Sequence, residues 1–282
     1  MTPLRSLLFV PGNDRKKLLK AGGVPADGLI LDWEDSVLPA DKDVARTLTA
    51  SLISENWQFQ ATVLVRFNRV GTKDFQEDCK SLRNLRADGI LLSKCQSAQD
   101  TKVLAEVLDH QDAGGQMKIY ALIESANGIL NAPQIASSCS RMSGLVFGSE
   151  DFCADVGISR TPGDIELLFA RSAIVTTSKA FGLAAIDSPC LDWSDGTKLQ
   201  GEAQAARNLG FTGKLAIHPT QVPILNEIFS PTEAEIENAE KVLAAFSAGK
   251  SGVLTLDGGM VDEAVVRRAR QVLWRARSIF KD

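Results

Sequence analysis

Eight short apolar runs recur along the chain, and stretches with helical periodicity separate most of them. The runs are continuously apolar rather than alternating, which is typical of parallel strands covered on both faces. In chain order they are RSLLFVPG, GLILDWED, TVLVRFN, GILLSK, KIYALIES, GLVFGSED, LAAIDSP and KLAIHP. Helices are predicted at residues 41–54, 74–86, 98–111, 163–181 and 196–209. Eight βα units within residues 1–230 predict an α/β fold, a TIM (β/α)8 barrel, with a doubly wound open sheet as the alternative.

Residues 231–282 are surplus to such a barrel and predict a C-terminal helical extension. A helix is expected over residues 231–246, because Thr232 and Glu235 have the spacing of a capping box. The Gly-rich stretch SAGKSGVLTLDGGMVDEA then predicts a flexible connector, and a basic helix follows at residues 265–281. The extension either packs on its own barrel or reaches a neighbouring subunit, and the sequence favours neither.

The composition is that of a globular protein, since 44% of the 282 residues are hydrophobic, enough for a sizeable core. A net charge of −4 and a pI near 5.4 argue against a nucleic-acid-binding or membrane-surface protein with a dominant basic face. The first apolar run is too short to span a membrane and ends at a Pro-Gly turn, so a cytoplasmic location is expected. Five cysteines without a CxxC pair predict reduced, mostly structural thiols, with Cys95 as the one candidate for a reactive role.

Carboxylates gather where the apolar runs end. Asp32 and Glu34 follow the second run, Glu124 ends the fifth, and Asp151 follows the sixth. The carboxyl ends of barrel strands meet at one face, so these side chains predict an acidic, metal-binding site there. Glu124 and Asp151 are the best ligand pair for Mg²⁺, with Mn²⁺ as a second choice, because two carboxylates leave positions open for water and substrate oxygens. The alternative is that both acids cap helices.

Arg66 ends the third run and is expected in the same mouth as the acids. It either forms a structural ion pair with Asp32 or Glu34, or clamps a substrate carboxylate while those two acids support it. We favour the clamp, since so acidic a site would otherwise repel an anionic substrate. Lys94, at the end of the fourth run, raises the alternative of Schiff-base chemistry without a metal.

Cations follow the first run, at the start of a predicted helix that carries Lys16 and Lys20. A helix N-terminus with nearby cations can hold a phosphate, which suits a nucleotide-bearing thioester such as coenzyme A. A solvated basic face explains the same residues equally well. His218, in the eighth run, is either a functional group or a histidine that satisfies a core hydrogen bond.

In their order, several motifs resemble the citrate lyase β-subunit family of the HpcH/HpaI aldolase superfamily. They are RSLLFVPGN, LDWEDSV, VRFN, ALIESANGI, FGSEDFCADVG, AFGLAAIDSP, GFTGKLAIHPTQ and GGMVD. The resemblance implies a Mg²⁺-dependent carbon–carbon lyase on a TIM barrel. Such a lyase cleaves a 3-hydroxyacyl thioester such as citryl-, malyl- or citramalyl-CoA into a 2-oxo acid and an acyl thioester. It also implies a homotrimer.

Carried over by position, the resemblance makes Glu124 and Asp151 the Mg²⁺ ligands and Arg66 the residue for the oxo-acid carboxylate. It makes Asp262 the catalytic acid/base, which an adjacent subunit supplies in relatives. Gly148 and Ser149, after the sixth run, are interpreted as a close backbone approach to the bound oxo acid. The chain departs from the family pattern at LSKCQS, which lacks the Pro before the lysine, and at Ala264, where Pro is common. Two other functions stay open: a citryl-acyl-carrier-protein lyase subunit of a larger complex, and a barrel that binds thioesters without catalysis.

Overall fold

The computed structural model describes residues 3–54, 61–112, 114–161, 163–248, 254–256 and 258–280. The chain divides into two compact units. One spans Leu4–Asn226, and the other consists mainly of the described residues from Glu227 onward. Within the described ranges, no helix is both long and apolar enough to cross a membrane.

The first unit is a closed barrel of eight parallel strands, which confirms the predicted TIM-barrel fold. Each strand pairs with the next along the chain, and the eighth pairs with the first. In the described part of the chain the barrel strands are β1 (Ser6–Pro11), β2 (Gly28–Asp32), β3 (Thr62–Phe67), β4 (Gly89–Leu92), β5 (Lys118–Ile123), β6 (Met142–Phe147), β7 (Ala184–Asp187) and β8 (Gly213–Ala216).

Helices follow the strands, as the apolar periodicity predicts. The barrel unit contains α1 (Arg15–Ala21), α2 (Lys42–Ser54), α3 (Lys73–Ser81), α4 (Ala98–Gln111), α5 (Ala126–Leu130), α6 (Ala132–Ala136), α7 (Ser149–Val156), α8 (Leu168–Ala180) and α9 (Gly196–Leu209). A tenth helix, α10, spans Gln221–Ile228. Single 3₁₀ turns precede α2 and α8 and follow α3, so the predicted helices at 74–86 and 163–181 are each a 3₁₀ turn joined to a shorter α-helix.

The barrel interior is filled by buried apolar side chains from all eight strands. This cluster comprises Leu4, Leu7, Ile30, Leu64, Leu91, Tyr120, Leu122, Val146, Ile186 and Leu215, and Phe9 and Ala184 pack against it. Side chains alternate between the two faces of a strand, so the residues two positions further along β2, β3 and β5 also face inward. Those residues are Asp32, Arg66 and Glu124, above Ile30, Leu64 and Leu122. The inward-facing side chains are therefore apolar inside the barrel and charged at its carboxyl end.

The second unit contains α11 (Glu233–Ala248), a two-stranded antiparallel hairpin of β9 (Leu254–Leu256) and β10 (Gly259–Val261), and α12 (Glu263–Ile279). Its own core includes Ala239, Val242, Val261, Val266 and Ala269. The predicted capping box is present: the Thr232 N–H donates to Glu235 Oε2 at 2.8 Å, and the Glu235 N–H donates to Thr232 Oγ1 at 3.2 Å. The prediction of a plain flexible connector was wrong for 254–256 and 259–261, because these two segments pair as antiparallel strands. Residues 249–253 and 257 of that connector lie outside the described residues.

Candidate active site

Arg66 lies at the centre of an ionic cluster at the carboxyl end of the barrel. Its Nε and Nη2 donate to the two carboxylate oxygens of Asp32 at 2.7 and 2.6 Å, and its Nη1 lies 3.0 Å from Glu34 Oε2. The guanidinium carbon also lies 4.8 Å from the centre of the Phe9 ring. Burial alone would raise the pKa of Asp32, but the hydrogen bonds and charge of Arg66 hold that pKa below its ordinary value. Arg66 is therefore charged and fixed in orientation.

Within the described part of the chain, the guanidinium of Arg66 makes two hydrogen bonds, both to Asp32 and both through one edge. A guanidinium carries five N–H groups in a planar fork, so N–H groups on Nη1 and Nη2 remain for a second partner. The two possibilities drawn from the sequence are therefore compatible. Asp32 and Glu34 form the ion pair, and the ion pair holds Arg66 in place to bind a carboxylate.

The loop that carries Glu34 is fixed by Lys42, a residue that the sequence did not single out. Lys42 is buried, and its Nζ donates to the carbonyl oxygens of Trp33 and Glu34 at 2.9 and 3.1 Å and to Asn68 Oδ1 at 2.7 Å. A lysine at the start of a helix is ordinarily solvated, so no local sequence signal marked it. Its contacts orient the loop after β2 and thereby help to place the Glu34 carboxylate.

Lys94 joins the acids of β2 to those of β5 and β6. Its Nζ lies 2.7 Å from Glu34 Oε1, 3.4 Å from Asp35 Oδ1 and 4.0 Å from Asp151 Oδ1. Burial acts to lower the pKa of Lys94, but the hydrogen bond to Glu34 and the neighbouring acids raise that pKa above its ordinary value. A permanently charged ammonium is a poor nucleophile, which argues against the Schiff-base alternative.

The backbone of Lys94 adopts an unusual conformation, with φ of +50°. A non-glycine residue in this left-handed region costs roughly 1 to 2 kcal/mol, so the surroundings must hold it there. Three consecutive N–H groups do so: Ser93 donates to the Phe67 carbonyl at 3.3 Å, Lys94 to Glu124 Oε1 at 2.7 Å, and Cys95 to the Leu122 carbonyl at 3.1 Å. The turn after β4 is therefore tied to both neighbouring strands.

Glu124 is buried, and within the described residues its carboxylate accepts one hydrogen bond, from the Lys94 N–H. Burial raises its pKa to about 8, and the negative charge of Asp151 adds to the rise. Ser125, rather than Glu124, caps α5, since its Oγ accepts the Gly128 N–H at 3.1 Å. The helix-cap alternative therefore fails for Glu124.

Gly148 provides the space in which the Glu124 carboxylate lies. A Cβ at position 148 would stand 2.6 Å from Glu124 Oε2 and 2.7 Å from Glu124 Cβ, far inside contact distance. Gly148 is the N-cap of α7, so Ser149 begins that helix and Asp151 follows in its first turn. Ser149 is buried, and Asp151 is about half exposed at the mouth. The turn thus brings Asp151 toward Glu124.

The donor set suits Mg²⁺. A buried carboxylate with a second carboxylate beside it is stabilised when a divalent cation replaces the proton, and oxygen ligands are those that Mg²⁺ prefers. Among the described residues, no group of three or more His, Cys, Asp or Glu side chains could hold a metal ion. Glu124 and Asp151 would be two protein ligands of the ion, and water and substrate would complete its shell.

Asp262 belongs to the second unit, where it is the N-cap of α12. Its Oδ1 accepts the backbone N–H groups of Ala264 at 2.9 Å and Val265 at 3.0 Å. The same carboxylate therefore has a structural role in addition to the catalytic role that the family resemblance implies. Its catalytic assignment remains a prediction.

A cleft of about 480 Å³ lies beside the end of β1. It is lined by Pro11, Asn13, Asp14, Arg15, Lys16, Lys17 and Ser36. The N-terminus of α1 is already capped, since Asp14 Oδ1 accepts the Lys17 N–H at 3.0 Å. Phosphate binding there would thus depend on the exposed cations rather than on the helix N-terminus. Lys16 lines the cleft, whereas Lys20, which is also exposed, is not among the lining residues.

His218 and Cys95 are the two remaining sequence candidates. The His218 ring stacks on Trp193 with 4.4 Å between ring centres, and its Nδ1 lies 2.8 Å from Thr220 Oγ1. Cys95 is buried, and burial raises the pKa of its thiol, so it has none of the thiolate character of a reactive cysteine. All five cysteines are free, as the absence of paired motifs predicts.

Comparison with known proteins agrees with this geometry. The HpcH/HpaI aldolase/citrate lyase family model matches residues 5–219. Citrate lyase subunit beta of Leuconostoc mesenteroides subsp. cremoris is 35% identical over 277 residues, covering 95% of this chain and 92% of that protein. A (3S)-malyl-CoA thioesterase of Cereibacter sphaeroides is 33% identical over 280 residues, covering 98% of this chain and 96% of that protein.

Among solved structures, CitE from Mycobacterium tuberculosis, in complex with magnesium, acetoacetate and coenzyme A, superposes with a TM-score of 0.82. It is 32% identical in sequence, and the match covers 97% of each chain. The family model, the full-length relatives and the shared fold lead to one conclusion: the chain belongs to the HpcH/HpaI aldolase/citrate lyase family.

Proposed function

We propose that this protein is a Mg²⁺-dependent carbon–carbon lyase that cleaves a 3-hydroxyacyl thioester, such as citryl-, malyl- or citramalyl-CoA, into a 2-oxo acid and an acyl thioester. One observation carries the proposal: a guanidinium held by Asp32 and a buried Glu124 share one barrel mouth with Asp151. The first group suits a substrate carboxylate, and the two carboxylates suit Mg²⁺. The magnesium and coenzyme A bound to the CitE relative support the same assignment.

The reaction sets two charge problems at the substrate. The bond between C2 and C3 breaks, the 3-hydroxyl loses its proton and its carbon becomes the ketone of the oxo acid. The electron pair passes to C2 as a thioester enolate, which then takes up a proton. Bound Mg²⁺ would stabilise the negative charge that develops on oxygen.

Residues of the chain would orient the substrate and transfer the proton. Arg66 binds the carboxylate next to C3 and fixes the orientation of the breaking bond, which is how positioning lowers an activation barrier. Gly148 and Ser149 let the backbone approach the oxo acid closely at the start of α7. Asp262 is our candidate for the group that transfers the proton. Loss of its carboxylate would lower the rate by about 10²- to 10⁴-fold.

Coenzyme A would bind at the cleft beside β1, where Arg15, Lys16 and Lys17 supply positive charge for its phosphates. A homotrimer in which a neighbouring subunit supplies Asp262 follows from the family resemblance and forms part of the proposal. We place the protein in the cytoplasm, because all five of its cysteines are free thiols.

The deciding experiment incubates the purified protein with Mg²⁺ and, separately, malyl-, citramalyl- and citryl-CoA. We expect release of the corresponding 2-oxo acid with one of them, without release of free thiol, because a lyase leaves the thioester intact. Glu124→Gln serves as the inactive control. Stoichiometric release of free thiol would favour a thioesterase, the activity named for the Cereibacter relative.

Two other outcomes would contradict the proposal. Turnover of a citryl-acyl-carrier-protein but of no free coenzyme A thioester would indicate a subunit of a larger citrate lyase. Binding of all three thioesters without any product would indicate a non-catalytic barrel. Turnover is read from oxo acid and free thiol in every case, and thioester binding is measured by a separate calorimetric titration.

A further inference from the structure

Lys94 touches both halves of the candidate site through different groups. Its backbone N–H donates to Glu124 Oε1 at 2.7 Å, on the side of the proposed metal. Its ammonium lies 2.7 Å from Glu34 and 3.4 Å from Asp35, on the side of Arg66, and at a longer distance of 4.0 Å from Asp151. No other described residue makes hydrogen bonds both to Glu124 and to the acids beside Arg66, Glu34 and Asp35.

The backbone contact depends on the left-handed turn. With φ of +50°, the Lys94 N–H points to Glu124, while the flanking N–H groups of Ser93 and Cys95 bond to β3 and β5. In the described structure this is the hydrogen bond that fixes the Glu124 carboxylate, and it leaves Oε2 beside Gly148. A residue that avoids positive φ would turn this N–H away from Glu124.

The ammonium contact depends on charge and reach instead. Glu34 bridges Lys94 and Arg66, since its Oε1 accepts from the ammonium and its Oε2 lies 3.0 Å from Arg66 Nη1. Around Arg66, Asp32, Glu34 and Asp35 carry three negative charges, and Arg66 alone would leave an excess of two. Lys94 reduces that excess where an anionic oxo acid must approach.

We propose that Lys94 is a positioning residue with two separable roles: its backbone orients Glu124 toward the metal, and its ammonium keeps Glu34 and Arg66 ready for the oxo-acid carboxylate. This inference rests on the proposed function and identifies how the two subsites are held together. It makes the side chain important for the oxo acid and the backbone conformation important for the metal.

Three substitutions separate the roles. Lys94→Gly removes the ammonium but adopts positive φ readily, so it keeps the N–H that holds Glu124. Lys94→Val removes the ammonium and also disfavours the turn, because a β-branched residue rarely adopts positive φ. Lys94→Arg keeps a charge of the same sign. Lys80→Ala, which removes an exposed lysine paired with Glu77, is the matched control.

Binding is measured by calorimetry, with Mg²⁺ alone and then with pyruvate at saturating Mg²⁺, so no turnover is needed. For Lys94→Gly we expect Mg²⁺ affinity within about threefold of wild type or tighter, and pyruvate affinity weaker by about tenfold or more, the size of a lost charged contact. For Lys94→Val we expect Mg²⁺ affinity to fall by about tenfold or more as well. Lys94→Arg should bind pyruvate within about threefold of wild type.

Wild-type pyruvate affinity in Lys94→Gly would overturn the role of the ammonium, and equal Mg²⁺ affinities in Lys94→Gly and Lys94→Val would overturn the role of the turn. Circular dichroism melting checks that each variant folds. If Lys94→Val does not fold, Lys94→Ala replaces it, since its penalty at positive φ is smaller. A wild-type protein that binds neither Mg²⁺ nor pyruvate would contradict the proposed function itself, whereas one that binds both, with variants that do not separate them, would contradict only this inference.

Discussion

Gly148→Ala tests whether the space around Glu124 determines metal binding. The added Cβ would lie 2.6 Å from Glu124 Oε2, where ordinary contact begins at 3.4 Å, so the carboxylate or the start of α7 must move. The shortfall is about 0.8 Å, several times the roughly 0.2 Å tolerance of a metal–ligand distance. Glu124 cannot easily yield, because the Lys94 N–H holds its other oxygen at 2.7 Å. Movement of α7 would carry Asp151 with it.

We therefore expect Gly148→Ala to weaken Mg²⁺ binding by about 10- to 100-fold, which corresponds to about 1.4 to 2.7 kcal/mol. Overpacking should also cost about 1 to 3 kcal/mol of stability. Calorimetric titration of Mg²⁺ measures the first effect and denaturant unfolding of the metal-free protein measures the second.

Gly201→Ala is the matched control, because nothing lies within 4 Å of the Cβ it adds in α9. It should leave Mg²⁺ affinity unchanged and raise stability by roughly 0.5 to 1 kcal/mol, as expected when alanine replaces glycine inside a helix. Mg²⁺ affinity of Gly148→Ala within threefold of wild type would refute the reasoning, since the Glu124 carboxylate would then have another place to lie.

Three further predictions follow from the same contacts. Without metal, the folded protein should lose stability as pH rises from about 4.5 to about 8, because the raised pKa of Glu124 lets the folded state keep a proton that the unfolded state releases. Thermal melting in EDTA should show this slope, which is at most about 1.4 kcal/mol per pH unit. Glu124→Gln should lack the slope. Arg66→Lys should weaken pyruvate binding about tenfold or more with little change in Mg²⁺ affinity, because lysine cannot reproduce the planar fork held by Asp32. The surface substitution Arg270→Lys should change neither affinity. Equal pyruvate affinity in Arg66→Lys and the wild type would exclude the role of Arg66 as a carboxylate clamp. Asp262→Asn should bind Mg²⁺ and pyruvate normally and keep its helix cap, because Asn caps a helix as well as Asp does. Its turnover should nevertheless be about 10²- to 10⁴-fold slower. Co-expression with Glu124→Gln should restore about a quarter of wild-type activity if Asp262 acts across subunits, and none if it acts within its own subunit.

The sequence by itself determined the barrel fold and showed that the candidate site residues lie at the carboxyl ends of its strands. Continuous apolar runs and helical periodicity are local signals. They located all eight strands, and they gave the bounds of α4 and α9 to the residue. Alternation along a strand is also local, so the inward position of Asp32 follows from Ile30 two residues earlier. The box of Thr232 and Glu235 could be read from spacing alone.

Only the tertiary structure decided how the charged residues are connected. Asp32 and Arg66 are 34 positions apart, and Lys94 and Glu34 are 60 apart. The sequence offered an ion pair of Arg66 with Asp32 or Glu34 as one of two alternatives, and it did not indicate the pair of Lys94 and Glu34. The positive φ of Lys94 is stable because β3 and β5 hold its turn from both sides, and the need for glycine at 148 arises from a carboxylate on the neighbouring strand. Periodicity records which face a side chain occupies, but the partner on that face is set by strand register and loop path, which exist only once the barrel closes.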